Sequence, residues 1–167
     1  MLIRPEEPTD HRAVREIHTA TFETPAEARL VEALRERTKP LVSLVAVEGD
    51  EVLGHILFSP VSLPELPHLE LMGLAPMAVA PGHQRRGIGS ALVREGLEAC
   101  RRLGAGAVVV LGHPDYYPRF GFEPSVRFGI GCEYDVPPEV FMALELQPEI
   151  LRNVSGTVQY HQAFREL

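Results

Sequence analysis

The sequence predicts an α/β protein in which helices flank one central mixed β-sheet. Three observations support this prediction. A chain of 167 residues suits one domain over 1–167 and can bury a substantial core. Apolar runs typical of strands alternate with amphipathic segments typical of helices, in the order strand, two helices, three strands, helix, strand. A turn at 81–90, which holds three glycines, connects a buried strand directly to the most amphipathic helix.

The elements follow from apolar spacing and from stop signals. Thr9 or Asp10 can cap a first helix that ends at about Phe22. Thr24-Pro25-Ala26-Glu27 predicts a capping box for a second helix, with proline at its first position. The three prolines in 60–68 predict an irregular loop. The other predicted elements are strands over 2–5, 41–47, 51–58, 69–80 and 107–111, a helix over 89–103, and strand segments at 129–134, 141–146 and 156–160.

The stretch from Met77 to Ser90 contains the strongest local signal. Met77-Ala78-Val79-Ala80 is apolar and predicts the end of a buried strand. Pro81-Gly82 ends that strand, because proline lacks the sheet N–H and glycine permits a sharp turn. Apolar residues then recur at steps of three and four from Gly89 to Leu103, which predicts an amphipathic helix.

The start of that helix is a predicted anion site. The first N–H groups of a helix have no intrahelical partner, and the helix dipole adds about half a positive charge there. Gly87 and Gly89 let a ligand approach the backbone, and Arg85 and Arg86 add two permanent cations. These features favour a pyrophosphate. An ordinary glycine-containing turn between a strand and a helix is the alternative.

Two common phosphate motifs are absent from this turn. A Walker A loop would end in Gly-Lys-Ser/Thr, whereas this chain has Gly-Ile-Gly-Ser. A dinucleotide-binding G-x-G-x-x-G would need glycine where the chain has Leu92. The remaining pattern, Gln84-x-x-Gly87-x-Gly89, resembles the acyl-CoA-binding signature of the GNAT superfamily of N-acetyltransferases.

A second motif supports the same resemblance. In Tyr117-Pro118-Arg119-Phe120-Gly121-Phe122 a tyrosine stands four residues before a Gly-Phe pair, as in the second motif of that family. Members commonly carry an asparagine about seven residues before the tyrosine, where this chain has Val110. The turn at Gly112-His113-Pro114 must shorten or replace the helix that would connect them. A bacterial branch with a Gly-x-Pro-x-Tyr-Tyr pattern is similar in this respect.

The resemblance implies a GNAT fold, acetyl-CoA as co-substrate and a set of site residues. Tyr117 would protonate the departing CoA thiolate and contact the cofactor. The other residues implied to bind the cofactor are Met77, Ala78, Val79, Gln84, Arg85, Arg86, Gly87, Ile88, Gly89 and Ser90.

The implied reaction is direct transfer of an acetyl group to a primary amine of a small molecule or a protein. Freeing the lone pair of an amine with a pKa near 10.4 takes about 4.6 kcal/mol at pH 7. A strand N–H near Met77 to Val79 could stabilise the oxyanion. A phenol with a pKa near 10 is a slightly weak acid for a thiolate whose thiol has a pKa of about 8.5. The alternative is a non-catalytic acyl-CoA-binding module that senses the cofactor.

No general base is assigned by the sequence. Glu32 and Glu133 are candidates, but each is better explained as a solvated charge. His55, His83 and His113 are better explained as surface or hydrogen-bonded histidines, with ligand contact open for His83.

Composition narrows the remaining classes. The net charge of −7 argues against a nucleic-acid partner and weakly favours a cationic substrate. Two cysteines form no disulfide framework, and no Cys/His cluster has metal-site spacing, so we expect no metal. Cys132 and Cys100 are better explained as buried residues than as nucleophiles. No membrane span or signal peptide is predicted, so we expect a cytoplasmic location. A homodimer stays open.

Overall fold

Seven strands form one mixed sheet in a computed structural model that describes residues 1–167. In chain order the helices and strands are β1 (Leu2–Pro5), α1 (His11–Phe22), α2 (Ala26–Arg37), β2 (Val42–Glu48), β3 (Glu51–Val61), β4 (Leu71–Val79), α3 (Ile88–Arg102), β5 (Ala107–Leu111), β6 (Glu123–Pro124), β7 (Ile130–Cys132), β8 (Phe141–Glu145) and β9 (Gly156–Val158). The strand order is β1-β2-β3-β4-β5-β8-β6. Only β4 and β5 pair in parallel within it, so the predicted mixed sheet is confirmed.

Helices cover both faces of this sheet because successive residues of its central strands bury apolar side chains on opposite faces. Phe58 of β3 packs in one core with Leu92 of α3. Its neighbour Leu57 points to the opposite face and packs with Val31 of α2. A side chain of this size stabilises the fold by roughly 1.5–3 kcal/mol when fully buried. Gly96 is required in α3, because a Cβ there would lie 2.1 Å from the ring of Phe58.

A third core lies beside β5 and β8. The parallel pair β7 and β9 forms a separate two-stranded sheet. Their residues Ile130 and Val158 pack with Val109 of β5 and with Tyr160. The segment after β9 packs against α2, where Ala163 shares a core with Val31 and Leu34.

Two sequence-based expectations about element ends are wrong. β3 continues to Val61, through part of the stretch predicted as a loop, and Pro60 pairs there with Met72 of β4. The prolyl residue is tolerated because β2 pairs with β3 only as far as Phe58, so beyond that point one side of β3 has no partner strand. The capping box at Thr24 does not form. α2 begins at Ala26, whose N–H donates to Thr24 Oγ1, and no side chain caps the helix.

The sheet opens at one position in its centre. β4 has one extra residue opposite β3, since Ile56 pairs with Met77 but Phe58 pairs with Leu74. Pairing between β4 and β5 ends at Leu74, whereas pairing between β4 and β3 continues to Val79. Such a bulge bends its strand. Residues 75–79 of β4 therefore lie beside a gap. No helix has the length and apolar character needed to cross a membrane.

Candidate active site

The turn between β4 and α3 is held to the strand end by side chains. Gln84 Nε2 donates to the Val79 carbonyl at 3.1 Å. Thr21 of α1 donates to the same carbonyl through its hydroxyl, at 3.2 Å. Gly87 adopts φ +81° directly before α3, a conformation that glycine takes without strain. The turn is thereby fixed with its backbone facing outward.

The start of α3 presents unpaired donors. The first hydrogen bond of the helix runs from Ala91 N–H to Gly87 O, so the N–H groups of Ile88, Gly89 and Ser90 have no intrahelical partner. A Cβ on Gly89 would meet only ordinary contacts, the nearest being the Tyr116 hydroxyl at 3.4 Å. These donors border a groove of about 490 Å³. This groove, the turn-side cavity, is a suitable anion site.

Nearly all of the predicted cofactor-binding residues come together in this cavity. Its lining includes Met77, Ala78, Val79, Gln84, Arg85, Gly87, Ile88, Gly89 and Ser90. Arg86 does not line it, because its guanidinium donates to His83 Nδ1 at 2.7 Å. His83 itself lines the cavity. Tyr117 lies outside it and borders a second cavity.

The free side of β4 carries hydrogen-bond donors toward the gap. Ala80 N–H donates to Leu53 O of β3. Because N–H groups alternate in direction along a strand, those of Val79 and Met77 point away from β3. The Val79 carbonyl follows the same direction, since it accepts from the two side chains described above. Donors in this position can stabilise an oxyanion that forms in the gap.

Tyr117 is held firmly between other groups. It starts a short 3-10 helix, Tyr117–Phe120, and is 8% exposed. Its ring makes edge contacts with Phe122 at 5.7 Å and with Tyr116 at 5.1 Å between centroids. No α-helix separates β5 from this tyrosine, as the Gly112-His113-Pro114 turn predicts. Burial, and then Tyr116, raises the pKa of Tyr117 to about 12, so the phenol is fully protonated near neutral pH.

Tyr116 connects the two halves of the site. Its hydroxyl lies 3.0 Å from Ser90 Oγ at the start of α3. The guanidinium of Arg119 stacks over its ring at 4.5 Å from the centroid. Tyr116 borders both the turn-side cavity and the second cavity, and Met77 is the other residue that they share.

The second cavity, which we call the acceptor-side cavity, occupies about 580 Å³. It begins at Leu74 and Met77 of β4, where the sheet opens. Its wall is completed by Phe22 at the end of α1, Glu27 at the start of α2 and Phe164 in the segment after β9. The two cavities therefore meet at the gap between β4 and β5.

A buried polar chain runs beneath α1. His18 Nε2 lies 2.8 Å from His55 Nδ1, and His55 Nε2 lies 2.8 Å from Ser43 Oγ. Ser43 donates to Glu6, which forms a two-point ion pair with Arg35. Since the Ser43 proton points to Glu6, each histidine must donate from Nε2. His18 Nδ1 is then a buried lone pair without a partner.

His18 and His55, the two histidines of this buried hydrogen-bond network, are neutral near pH 7. Burial, followed by the charge of Arg35, lowers the pKa of His18 from 6.5 to about 4. Burial and the adjacent His18 lower the pKa of His55 well below 6.5. The sequence favours a surface or hydrogen-bonded position for His55, and the structure shows a buried histidine with hydrogen-bond partners on both ring nitrogens.

The remaining candidate residues occupy less reactive positions. Glu32 pairs with Arg15 on the outer side of α2 and lines neither cavity. Glu133 pairs with Arg165 at 3.2 Å. Cys132 accepts a hydrogen bond from Tyr134 N–H, and burial raises the pKa of its thiol. Burial raises the pKa of Cys100 to about 12, as expected for a core residue. His113 is exposed at the acceptor-side cavity.

Sequence reasoning missed three residues of the site. Thr21, Arg119 and Tyr116 line the turn-side cavity. The Tyr116 hydroxyl also forms a hydrogen bond with Ser90. Arg119 lies inside the second motif, so its charge was a usable signal. Thr21 gave none, because its contact depends on how α1 packs over β4.

Comparison with known proteins agrees with this geometry. The model of the acetyltransferase (GNAT) family matches residues 11–122. The chain is 37% identical over 165 residues to the uncharacterized N-acetyltransferase YhbS of Escherichia coli K12, and the match covers 98% of each chain.

Two solved structures are also similar over nearly the whole chain. YhbS from Escherichia coli in complex with CoA has a TM-score of 0.92 at 36% identity, covering 98% of this chain and 91% of that one. A GNAT family acetyltransferase from Brucella melitensis in complex with acetyl-CoA has a TM-score of 0.80 at 37% identity, covering 98% and 97%. The chain thus belongs to the GNAT family of N-acetyltransferases, which are acyltransferases.

Proposed function

We propose that this protein transfers an acetyl group from acetyl-CoA to a primary amine within one ternary complex. The observation that carries the proposal is that two cavities meet at Met77 and Tyr116, where β4 leaves β5. Acetyl-CoA bound by the turn would bring its thioester to this junction. The amine would approach through the acceptor-side cavity. Similar proteins have been solved with CoA and with acetyl-CoA.

The residues at the junction fit the steps of such a transfer. The unprotonated amine attacks the thioester carbonyl, and the N–H groups of Met77 and Val79 are available to the oxyanion. The tetrahedral intermediate then expels the CoA thiolate, and the Tyr117 hydroxyl supplies its proton. The nitrogen loses its extra proton to solvent or to a base, and the Tyr117 phenolate regains a proton from solvent, which restores the enzyme. No covalent enzyme intermediate is required.

The raised pKa of Tyr117 sets a condition on that proton transfer. A phenol with a pKa of about 12 is a weaker acid than a thiol with a pKa near 8.5, and the difference corresponds to about 5 kcal/mol. The thiolate leaves into the same apolar surroundings, however. Burial raises the pKa of the Cys100 thiol of this chain to about 12. A CoA thiolate released into apolar surroundings would gain basicity by the same effect, because desolvation disfavours the charged form.

The proposal is tested by turnover. The purified chain is incubated with acetyl-CoA and a panel of amines, and the acetylated amine and free CoA are measured by mass spectrometry. We expect release of CoA that depends on the amine. Tight binding of acetyl-CoA with no acetylated product from any amine would instead identify a non-catalytic sensor of the cofactor.

A further inference from the structure

The wall of the acceptor-side cavity has an unusual composition. Of its sixteen residues, twelve are hydrophobic. Six of them are aromatic, and these include all four tyrosines of the chain. The aromatic residues are Phe22, Tyr116, Tyr117, Tyr134, Tyr160 and Phe164. No lysine, arginine or aspartate contributes to the wall. A ligand that fills this space must therefore present mostly apolar surface.

The wall contains one carboxylate side chain. Glu27 of α2 is half-buried, and the contact of its carboxylate within the chain is with Thr24 Oγ1 at the long distance of 3.5 Å. Glu133 does not line the cavity, and its Oε2 pairs with Arg165 while its Oε1 is buried without a partner. Glu27 is thus free to pair with one ammonium group. This charge is complementary to an amine that carries a single positive charge.

Acceptors with several positive charges fit the wall poorly. Only one ammonium could pair with Glu27, and the others would lose hydration against aromatic rings. Desolvation of an unpaired charge is more unfavourable than a cation–π contact is favourable. Polyamines and aminoglycosides are therefore disfavoured. Zwitterionic amino acids are disfavoured too, because the wall has no lysine or arginine to pair with their carboxylate.

The size of the space favours a small molecule. Cavities that enclose small ligands commonly occupy about 300–1,000 Å³, and this one occupies about 580 Å³. Hydrophobic and aromatic walls with few polar groups are typical of such sites. The aromatic pairs Tyr134–Tyr160 and Tyr160–Phe164, with centroids 5.8 and 5.1 Å apart, form a continuous surface for a flat or extended apolar group.

We propose that the acceptor is a small primary amine that carries one positive charge on an apolar body, such as an arylalkylamine or an alkylamine. The apolar body packs against the aromatic wall, and Glu27 pairs with the ammonium as it enters. This inference rests on the proposed acetyl transfer. It adds the chemical class of the acceptor, which the family does not define.

An amine panel with acetyl-CoA tests the class directly. The probes are 2-phenylethylamine, tryptamine and octylamine, compared with spermidine, kanamycin and lysine. We expect kcat/KM for the first three to exceed that for the others by at least about 100-fold, the upper part of what a pocket of this kind can discriminate. Higher kcat/KM for spermidine, kanamycin or lysine would overturn the proposal. So would failure of all three apolar amines in a protein that acetylates spermidine, kanamycin or lysine.

Two matched variants of α2 test the role of Glu27. Glu27→Gln keeps the size of the side chain and removes its charge, so KM for 2-phenylethylamine should rise about tenfold while KM for acetyl-CoA is unchanged. Glu32→Gln is the control, because Glu32 lies on the same helix but pairs with Arg15 outside the cavity. Equal effects of both variants, or no effect of Glu27→Gln, would remove Glu27 from the site. Absence of acetylated product from every amine of the panel would instead contradict the proposed transfer itself.

Discussion

Gly112 and Tyr117 are matched in shape at the centre of the site. A Cβ on residue 112 would lie 2.3 Å from Cε2 of the Tyr117 ring. Phe122 closes the other side of that ring. The ring therefore has one position, and its hydroxyl has one direction. A general acid gains from such fixed placement, because misplacement of a catalytic group by about 1 Å can lower the rate by about 100-fold.

Removal of the Tyr117 hydroxyl should slow the chemical step selectively. Tyr117→Phe keeps the ring and its packing, so we expect kcat to fall by roughly 10²–10⁴ with little change in acetyl-CoA affinity. Tyr116→Phe is the comparison. It removes the bond to Ser90 and should lower kcat far less. A kcat close to that of the unaltered protein in Tyr117→Phe, measured at saturating acetyl-CoA with chemistry rate-limiting, would exclude the general-acid role.

Two substitutions at Gly89 should show whether added charge at the start of α3 abolishes CoA binding without unfolding the protein. Its backbone is helical, and a Cβ there meets only ordinary contacts, so Gly89→Ala should fold and retain CoA binding. Gly89→Asp adds a negative charge at the start of α3, where we place the pyrophosphate, and should abolish CoA binding while the fold persists. Calorimetry of CoA binding and thermal unfolding of both variants provide the measurement. Unchanged affinity in Gly89→Asp would contradict the assignment of the turn.

At this scale the sequence predicted the identity of residues better than their environment. The position of Gln84, Gly87 and Gly89 at the turn-side cavity was predictable because it depends on local backbone geometry. The raised pKa of Tyr117 was not, because it results from the packing of Phe122 and Tyr116 around the phenol. The bond from Tyr116 to Ser90 joins residues from two separate elements. No spacing rule predicts such a contact.

Among the elements, β4 determines where chemistry can occur. Its extra residue opposite β3 ends the pairing with β5 at Leu74. The sequence predicted a long apolar strand here and the turn after it. It did not predict the bulge, since a bulge depends on registers with two neighbouring strands. Pro76 lies in the bulged stretch and lacks an N–H, so it was the available signal.

The buried histidines under α1 should make stability depend on pH. The unfolded chain binds a proton at His18 below about pH 6.5, whereas the folded chain binds one only near its pKa of about 4. Stability is therefore complete above pH 6.5 and falls as the pH is lowered toward 4, by about 3 kcal/mol from this group alone. We expect the urea midpoint to fall across this range.

Two variants assign that pH dependence to its source. His18→Gln removes the titrating group, so the variant should be less stable at pH 7 but should lose less stability between pH 6.5 and 4. His68→Gln, at an exposed histidine, should behave like the unaltered protein. If the urea midpoint of His18→Gln falls with acid as steeply as that of the unaltered protein, His18 is not the source.

For the whole molecule, the two cavities are lined by separate parts of the chain. The turn and the start of α3 line one cavity. The ends of α1 and α2 and the residues after β9 line the other. The sequence predicted the first part well, because it is contiguous. The second is assembled from distant segments such as Phe22, Tyr134 and Phe164. The last two follow the short strands β7 and β9, which are only weakly indicated by the sequence.

This division predicts separable effects on the two substrates. Phe22 borders only the acceptor-side cavity, so Phe22→Ala should raise KM for the amine several-fold and leave KM for acetyl-CoA unchanged. Arg85 borders only the turn-side cavity, so Arg85→Ala should raise KM for acetyl-CoA and leave that for the amine. Initial rates over a grid of both substrates supply all four constants. In the unaltered protein the same grid should give intersecting double-reciprocal lines, because both cavities must be filled before transfer. Parallel lines would indicate a covalent acetyl-enzyme, and exchanged effects of the two variants would show that the cavities were assigned in reverse.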